Sequence, residues 1–128
     1  MPFVKIEVKK GHTREYNKTL LKSVHEGLVK SLSIPDDDLF QRLYEIDKDY
    51  FELNDYKTDK FTLIELTFLP GRSKGMKRNA IQEITRLLEE RLGITSSDVY
   101  IIINEPPLDN WGIRGNQASD MGLEYSKE

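Results

Sequence analysis

Apolar and charged side chains alternate from the third residue of the chain, which is the pattern of a half-buried strand. Val4, Ile6 and Val8 are separated by lysine and glutamate, and successive side chains of a strand point to opposite faces of a sheet. Gly11 predicts a turn, and Thr13 predicts the N-cap of a helix, because apolar residues then recur three and four positions apart. The apolar stripe of this helix consists of Leu20, Leu21, Val24, Leu28 and Leu32.

A second strand is predicted after this helix. Pro35 ends the helix, three aspartates form a loop, and residues 39–46 are apolar enough for a strand. Residues 47–59 are polar apart from a few aromatic and apolar side chains, and they predict a short hairpin or loop. The first part of the chain is therefore expected to form a β-α-β unit.

The second half of the chain repeats this plan. Residues 61–68 predict a strand, Gly71 a turn, Ser73 a helix N-cap, Gly93 the end of that helix and residues 99–103 a buried strand. The apolar stripe of the second helix consists of Ile81, Ile84, Leu87, Leu88 and Leu92.

The two halves are related by an internal repeat. The first strands match at a shift of 58 residues, and the later segments match at a shift of 60. The matched segments are 3–8 with 61–66, 11–13 with 71–73, and 34–40 with 94–100. In the last pair Asp38 falls on Asp98, which favours a structural role at the start of a strand as an alternative to a chemical one. We interpret this similarity as a duplication.

These elements predict an α+β fold made of a duplicated β-α-β unit. The strands within each unit lie parallel, because a crossover of this length is right-handed. The units are expected to share a four-stranded sheet with both helices on one face. Residues 1–128 are expected to be a single domain, with units at about 2–58 and 59–104 and a non-helical tail at 105–128 that contacts a neighbouring subunit. The other sheet face includes Phe3, Phe61 and Leu63, so it is expected to be covered by other subunits.

Composition excludes several functional classes. The chain has 128 residues, of which 38% are hydrophobic and 32% charged, and its net charge is −3. It has no cysteine, which excludes disulfides and thiolate chemistry. No basic excess points to a nucleic acid partner, and no apolar run approaches the roughly 18–20 residues that cross a membrane. The N-terminus has no apolar signal core, so a cytoplasmic location is expected.

Pro2 is the first candidate for chemistry. Removal of Met1 would leave a secondary amine held at the start of a strand. An α-amino group titrates near about 8, and burial or a nearby cation lowers its pKa. Such an amine can remove a proton next to a carbonyl group. The alternative is that Pro2 merely starts a strand, where its missing N–H does no harm.

Arginines are the candidates for binding an anionic substrate. Arg72 follows the turn glycine directly before a helix, where it can hold a carboxylate, although a surface arginine is the commoner fate. Arg42 and Arg114 are weaker candidates of the same kind, and Trp111 is a candidate wall of the site. His12 and His25 lack metal or triad partners at a suggestive spacing, and no metal site is expected.

Together these features resemble the tautomerase superfamily, and more narrowly its branch similar to malonate semialdehyde decarboxylase. The resemblance covers nearly the full chain and rests on the Met-Pro start, the two β-α-β units and the segments 34–41, 71–73 and 110–115. It implies a homotrimer with the trimeric tautomerase (MIF-like) fold, active sites near subunit boundaries and no metal or organic cofactor. It also implies that Pro2 is the catalytic acid or base, that Arg72 binds the carboxylate of a small-molecule substrate, and that Asp38 activates water in a decarboxylase.

One position departs from the decarboxylase pattern of two arginines one residue apart. Pro70 occupies the first position and Arg72 the second, so Arg42 or Arg114 would have to supply another contact. The leading hypothesis is therefore a cofactor-independent tautomerase that transfers a proton on a small 2-oxo acid or its enol. The alternatives are an enzyme similar to malonate semialdehyde decarboxylase or hydratase, and a non-catalytic binding or signalling protein on the same fold.

Overall fold

The computed structural model describes residues 2–123, and a four-stranded mixed sheet forms its centre. The strands are β1 (Phe3–Lys9), β2 (Gln41–Ile46), β3 (Thr62–Thr67) and β4 (Val99–Asn104), and the helices are α1 (Arg14–Leu32) and α2 (Lys74–Leu92). The strand order is β2-β1-β3-β4. Strand β1 is parallel to β2 and antiparallel to β3, and β3 is parallel to β4. The predicted α+β fold with two β-α-β units is confirmed.

Both helices pack on one face of the sheet and against each other. The inward side chains of β1 and β3 form the core together with the apolar stripes of α1 and α2. The helices approach closely at Gly27, where a Cβ atom would lie 2.8 Å from Cγ1 of Ile84. The stripe predicted for α2 is wrong at Ile81, which is 39% exposed, whereas Ala80 is buried.

The two helices begin in the same way. The hydroxyl oxygen of Thr13 accepts a hydrogen bond from the backbone N–H of Tyr16 at 3.0 Å, and that of Ser73 accepts one from Met76 at 3.1 Å. Both predicted N-caps are confirmed, and Gly93 ends α2 in the left-handed conformation with φ 67°. The equal spacing of the caps supports the shift of 60 residues across the helices.

The sheet register corrects the repeat after the helices. The N–H of Asp38 donates to the carbonyl of Pro35, and that of Asp98 donates to Thr95, so the turns still match at 60. Strand β4 then begins at once, whereas β2 begins only at Gln41, and the strands match at 58. The predicted match of residues 39–40 with 99–100 is therefore wrong, because Leu39 and Phe40 are two extra residues in the first unit.

The segment between the units forms a turn and a loop. It contains a short 3-10 helix, Lys48–Tyr50, and the described residues 47–59 form no strand. Asp98 fixes the end of this segment, because its buried carboxylate accepts hydrogen bonds from the hydroxyl of Thr58 at 2.5 Å and from its N–H at 3.1 Å. Asp98 therefore has a structural role.

The sheet face opposite the helices is mixed. Its large exposed side chains include Tyr44, Tyr100 and Ile102. Phe61, which was expected to be exposed there, is buried within its own chain and contacts the ring of Phe51 edge-on at 5.7 Å. The open face is therefore partly apolar, as expected, but Phe61 is not one of its exposed side chains.

The tail packs on its own chain as far as residue 123, and residues 124–128 lie outside the described residues. It contains a two-stranded hairpin, β5 (Gly112–Ile113) and β6 (Asn116–Gln117), with short 3-10 turns on either side. Leu69, Ile113 and Ala118 form a second small core with the apolar side chains around them. The tail therefore covers the loop that follows β3.

Candidate functional site

Four segments of the chain meet at one end of the sheet. Strands β1 and β2 begin at this end, and β3 and β4 finish there, because the two units are joined antiparallel. The end therefore brings together Pro2, the Asp38 turn, the loop that leads to Arg72 and the segment that leads to Trp111. Three of the segments contain one of the predicted catalytic residues.

Pro2 is buried directly before β1. The last described pair of the β1–β3 ladder joins Phe3 to Thr67, so the next position of the register sets Pro2 beside Phe68. The N–H of Phe68 donates to the carbonyl of Asn104 at 3.1 Å, which ties this position to the end of β4. The backbone around Pro2 is therefore fixed by the sheet.

Arg72 lies inside this end of the molecule and is not a surface arginine. It is 8% exposed, and its guanidinium carbon lies 5.0 Å from the ring centroid of Phe68. Gly71 enables the turn before it, because its φ of 130° is a conformation that glycine adopts readily. A buried guanidinium is costly unless charge or aromatic contacts compensate it, and the face of Phe68 supplies one such contact.

Asp38 lies at the same end in the turn before β2, and its side chain is half-buried. The two extra residues, Leu39 and Phe40, separate it from the strand. The carbonyl of Phe40 accepts the N–H of Val4 at 2.9 Å, so this segment is attached to the start of β1.

Aromatic rings form one wall of the site. The ring centroid of Phe3 lies 4.9 Å from that of Phe40 and 6.0 Å from that of Trp111. The indole N–H of Trp111 donates to the carbonyl of Pro106 at 3.0 Å, which fixes the ring. Trp111 therefore lies with the other candidate residues. The sequence analysis did not predict that Phe3, Phe40 and Phe68 contribute to the site, because strand alternation already explained each of them as a structural residue.

The two weaker arginine candidates lie elsewhere. Arg42 is exposed on β2, where it pairs in register with Lys5 on the open sheet face. Arg114 is exposed at the tip of the tail hairpin, in the left-handed conformation with φ 49°. The contacts of the site include neither of them.

Two general features of the described residues, 2–123, bear on the chemistry. Neither of the two 19-residue helices is apolar enough to span a membrane. No group of three or more histidine and carboxylate side chains in this part of the chain is arranged to hold a metal ion.

The comparison with known proteins identifies the family. A family model described as a tautomerase enzyme matches residues 38–114, and a second model with the same description matches residues 2–55. The first match covers more than half of the chain, which therefore belongs to the tautomerase family.

Two relatives show how the similarity is distributed. The probable tautomerase YusQ of Bacillus subtilis (strain 168) is 26% identical over 126 residues, which cover 94% of this chain and 98% of that protein. The 2-hydroxymuconate tautomerase of Comamonas testosteroni is 38% identical over 58 residues, which cover 45% of this chain but 92% of that protein. Nearly the whole of the second relative thus corresponds to less than half of this chain, as a duplication predicts.

Solved structures agree with this fold. FG41 malonate semialdehyde decarboxylase inhibited by 3-bromopropiolate is 26% identical, with a TM-score of 0.80 over 94% of this chain and 95% of that chain. Native fused 4-OT has a TM-score of 0.85 over 94% of this chain and 99% of that chain. Its identity of 19% supports a common fold alone.

Proposed function

We propose that this protein is a tautomerase that uses the secondary amine of Pro2, freed by removal of Met1, to move a proton on a small 2-oxo acid or its enol. The amine takes a proton from the carbon next to the carbonyl, and the prolinium so formed gives that proton to the carbonyl oxygen, which yields the enol. In the reverse direction the free amine takes the proton of the enol hydroxyl and delivers it to carbon. The observation that carries this proposal is the burial of Pro2 at the sheet end that also holds Arg72.

Arg72 is proposed to act on both the amine of Pro2 and the substrate. Its positive charge disfavours protonation of a nearby amine, so it holds the pKa of Pro2 below the ordinary value of an α-amino group. The same guanidinium can bind the substrate carboxylate through two parallel hydrogen bonds. Phe3, Phe40 and Trp111 exclude water on one side and accept the apolar part of the substrate.

The test compares protein that begins at Pro2 with protein that keeps a residue ahead of it, each verified by intact mass. We expect the first to ketonise enolic phenylpyruvate and the second to be inactive, because a blocked nitrogen is no longer a basic amine. Pro2→Ala keeps a primary amine and is expected to lower turnover without abolishing it. Equal activity of the blocked and free proteins would show that Pro2 is only the first residue of a strand, and inactivity of free protein on a panel of enols would favour a binding protein.

Arg72 is tested against a matched arginine. Arg72→Ala is expected to raise KM and to move the acidic limb of the pH–rate profile upward by about one pH unit or more, since the amine regains its proton more easily. Arg78 is exposed on α2, so Arg78→Ala is the control for the loss of one positive charge. A profile that shifts equally in both variants would contradict the role of Arg72.

Decarboxylation or hydration of a related three-carbon acid is the second candidate function. Two observations favour it: the position of Asp38 at the Pro2 end, and the similarity to a solved malonate semialdehyde decarboxylase. Asp38 would act there as the group that activates water. Asp38→Asn should then abolish decarboxylation of malonate semialdehyde and spare tautomerisation, and loss of both activities would argue against this division of roles.

We also propose that residues 1–128 form one domain and that three copies cover the open sheet faces. Solved structures with the same fold include a fused 4-OT described as an asymmetric trimer, and Ile102 and Tyr100 are exposed on the open face. Ile102→Glu should dissociate the trimer in sedimentation equilibrium, whereas Ile81→Glu on the helical surface should not. A monomer mass for the unmodified protein at micromolar concentration would contradict the trimer.

A further inference from the structure

The opposite end of the sheet contains a surface cavity that the proposed reaction does not use. It lies where β1 and β2 finish and β3 begins, and its volume is about 310 Å³. Six residues line it: Lys9, Lys10, Gly11, His12, Lys48 and Asp59. A cavity of this size holds a small molecule.

The cavity occupies in the first unit the place that the Arg72 turn occupies in the second. Gly11 and Gly71 have nearly the same φ, 128° and 130°, and each is followed by one residue and then by a helix N-cap. His12 therefore stands at the repeat position of Arg72. The duplication has left a basic side chain at the corresponding turn of each unit.

The charge of the lining is positive. Lys9 pairs with Asp59 at 3.5 Å, whereas the ammonium groups of Lys10 and Lys48 make no ion pair with any of the described residues, 2–123. The nearby Asp47 carboxylate accepts the N–H of Asp49 at 2.9 Å within its own turn. Because the chain as a whole has a net charge of −3, a cavity with an excess of lysine is a local exception that attracts anions.

The orientation of His12 is fixed. Its Nε2 lies 2.8 Å from the carbonyl oxygen of Asp59, so that nitrogen carries the hydrogen. Its ring stacks on Tyr16 with centroids 4.1 Å apart and planes 12° from parallel. Burial, with a smaller contribution from Asp98, raises the pKa of Tyr16 to about 12, so the stacked phenol stays neutral.

This end lacks the means for proton transfer by a terminal amine. The repeat position of Pro2 is Lys60, an internal residue whose nitrogen is an amide and donates to the hydroxyl of Thr58 at 3.1 Å. The carboxylate of Asp98, the repeat equivalent of Asp38, accepts hydrogen bonds from the N–H and the hydroxyl of Thr58. A ligand bound here would meet positive charge but no base of the kind proposed for Pro2.

We propose that this cavity is a second, non-catalytic binding site for a small oxyanion, a carboxylate or a phosphate, held by the ammonium groups of Lys10 and Lys48. The site binds its ligand without turning it over. The proposal concerns the far end of the sheet and does not depend on the reaction assigned to Pro2.

The test is titration of the full-length protein with malonate and, separately, with inorganic phosphate, followed by the NMR shifts of the Gly11 and His12 amides. Constant ionic strength separates site binding from charge screening. We expect saturable shifts that weaken by about tenfold or more in Lys10→Gln/Lys48→Gln, because two charge contacts are removed. The control Lys18→Gln/Arg78→Gln removes the same charge from exposed positions elsewhere and should bind as the unmodified protein does. The anion with the lower Kd, malonate or phosphate, shows whether the site prefers a carboxylate or a phosphate.

The NMR titration and the ketonisation assay together distinguish this site from the Pro2 end. Arg72→Ala should leave the Gly11 and His12 shifts intact, and Lys10→Gln/Lys48→Gln should leave phenylpyruvate ketonisation intact. Linear, non-saturating shifts with both anions, or equal binding by the double variant and its control, would overturn the proposal.

Discussion

Gly27 offers a direct test of how closely the two helices pack. It is buried in α1, and a Cβ atom at this position would lie 2.8 Å from Cγ1 of Ile84 in α2. The backbone N and Cα of Ile84 would lie at 3.3 and 3.4 Å. Turning the Ile84 side chain therefore cannot relieve the whole overlap, and α2 itself must move.

Two opposing effects set the size of the change in Gly27→Ala. Alanine stabilises a helix interior by about 1 kcal/mol relative to glycine. Carbon contacts are most favourable at about 3.5–4.0 Å, and overfilling a packed core costs about 1–3 kcal/mol. We expect overlap to exceed propensity, with a net loss of about 1 kcal/mol and a fall in Tm of about 4 °C.

Urea unfolding at a fixed protomer concentration measures this loss, and α2 provides a matched control. Gly75 is exposed near the start of α2, and its Cβ would meet only the hydroxyl oxygen of Ser73 at 3.8 Å, an ordinary contact. Gly75→Ala should therefore stabilise the protein, by up to about 1 kcal/mol. The difference between the two variants is the cost of the helix contact.

A double-mutant cycle decides whether Ile84 is the cause. Ile84→Ala alone should cost about 2–5 kcal/mol, and the cost should be smaller by about 1 kcal/mol in the Gly27→Ala background, because the new methyl group then has room. If Gly27→Ala stabilises the protein as much as Gly75→Ala does, the reasoning about close packing is refuted.

Three further predictions concern stability. Thr13→Ala removes the N-cap of α1 and should cost about 1 kcal/mol in urea unfolding, with Thr13→Ser close to the unmodified protein. Asp98→Ala takes the acceptor from both donors of Thr58 and should cost about 2 kcal/mol in the same assay, more than Asp98→Asn. The hydrogen bond from Arg86 is the main cause that lowers the pKa of Glu83 from 4.5 to about 2, so its stabilisation is complete above pH 4.5 and is lost as the pH falls toward 2. Glu83→Gln should therefore flatten the pH dependence of the free energy of unfolding in that range. The change should be only about 0.5 kcal/mol, because the pair lies on a helix surface. An unchanged dependence between pH 4.5 and 2 would count against the ion pair.

Periodicity predicted the elements of this fold but not their exact placement. Strand alternation and the helical stripes identified the four strands of the central sheet and both helices, since each of these elements buries one face, whereas the two-residue strands β5 and β6 of the tail were not predicted. Ile81 was misassigned because the buried residue at this point of α2 is Ala80, one position earlier, and a single alanine adds little to an apolar stripe. Leu39 and Phe40 were misaligned because a slip of two residues keeps every side chain on the same face of a strand, so alternation cannot detect it.

The sequence was enough to name candidate residues of the site, but not to predict how they are arranged in space. The turn before α2 marked Arg72 by local sequence alone. Its presence at the same end as Pro2 depends on the antiparallel pairing of β1 with β3, a contact between distant segments that no local pattern encodes. Lys48 lies near Lys10 because β1 pairs with β2 in parallel, which is likewise a contact between segments distant in sequence.

The antiparallel pairing of β1 with β3 at the centre of the sheet also allows the Pro2 end and the His12 end to evolve independently. Strand β1 has seven residues, so it holds the Pro2 end and the His12 end about 20 Å apart. Substitutions at that separation contribute nearly independently to stability. After the duplication, selection could therefore alter one end, by adding Leu39 and Phe40 or by exchanging arginine and histidine, while the other end kept its own chemistry.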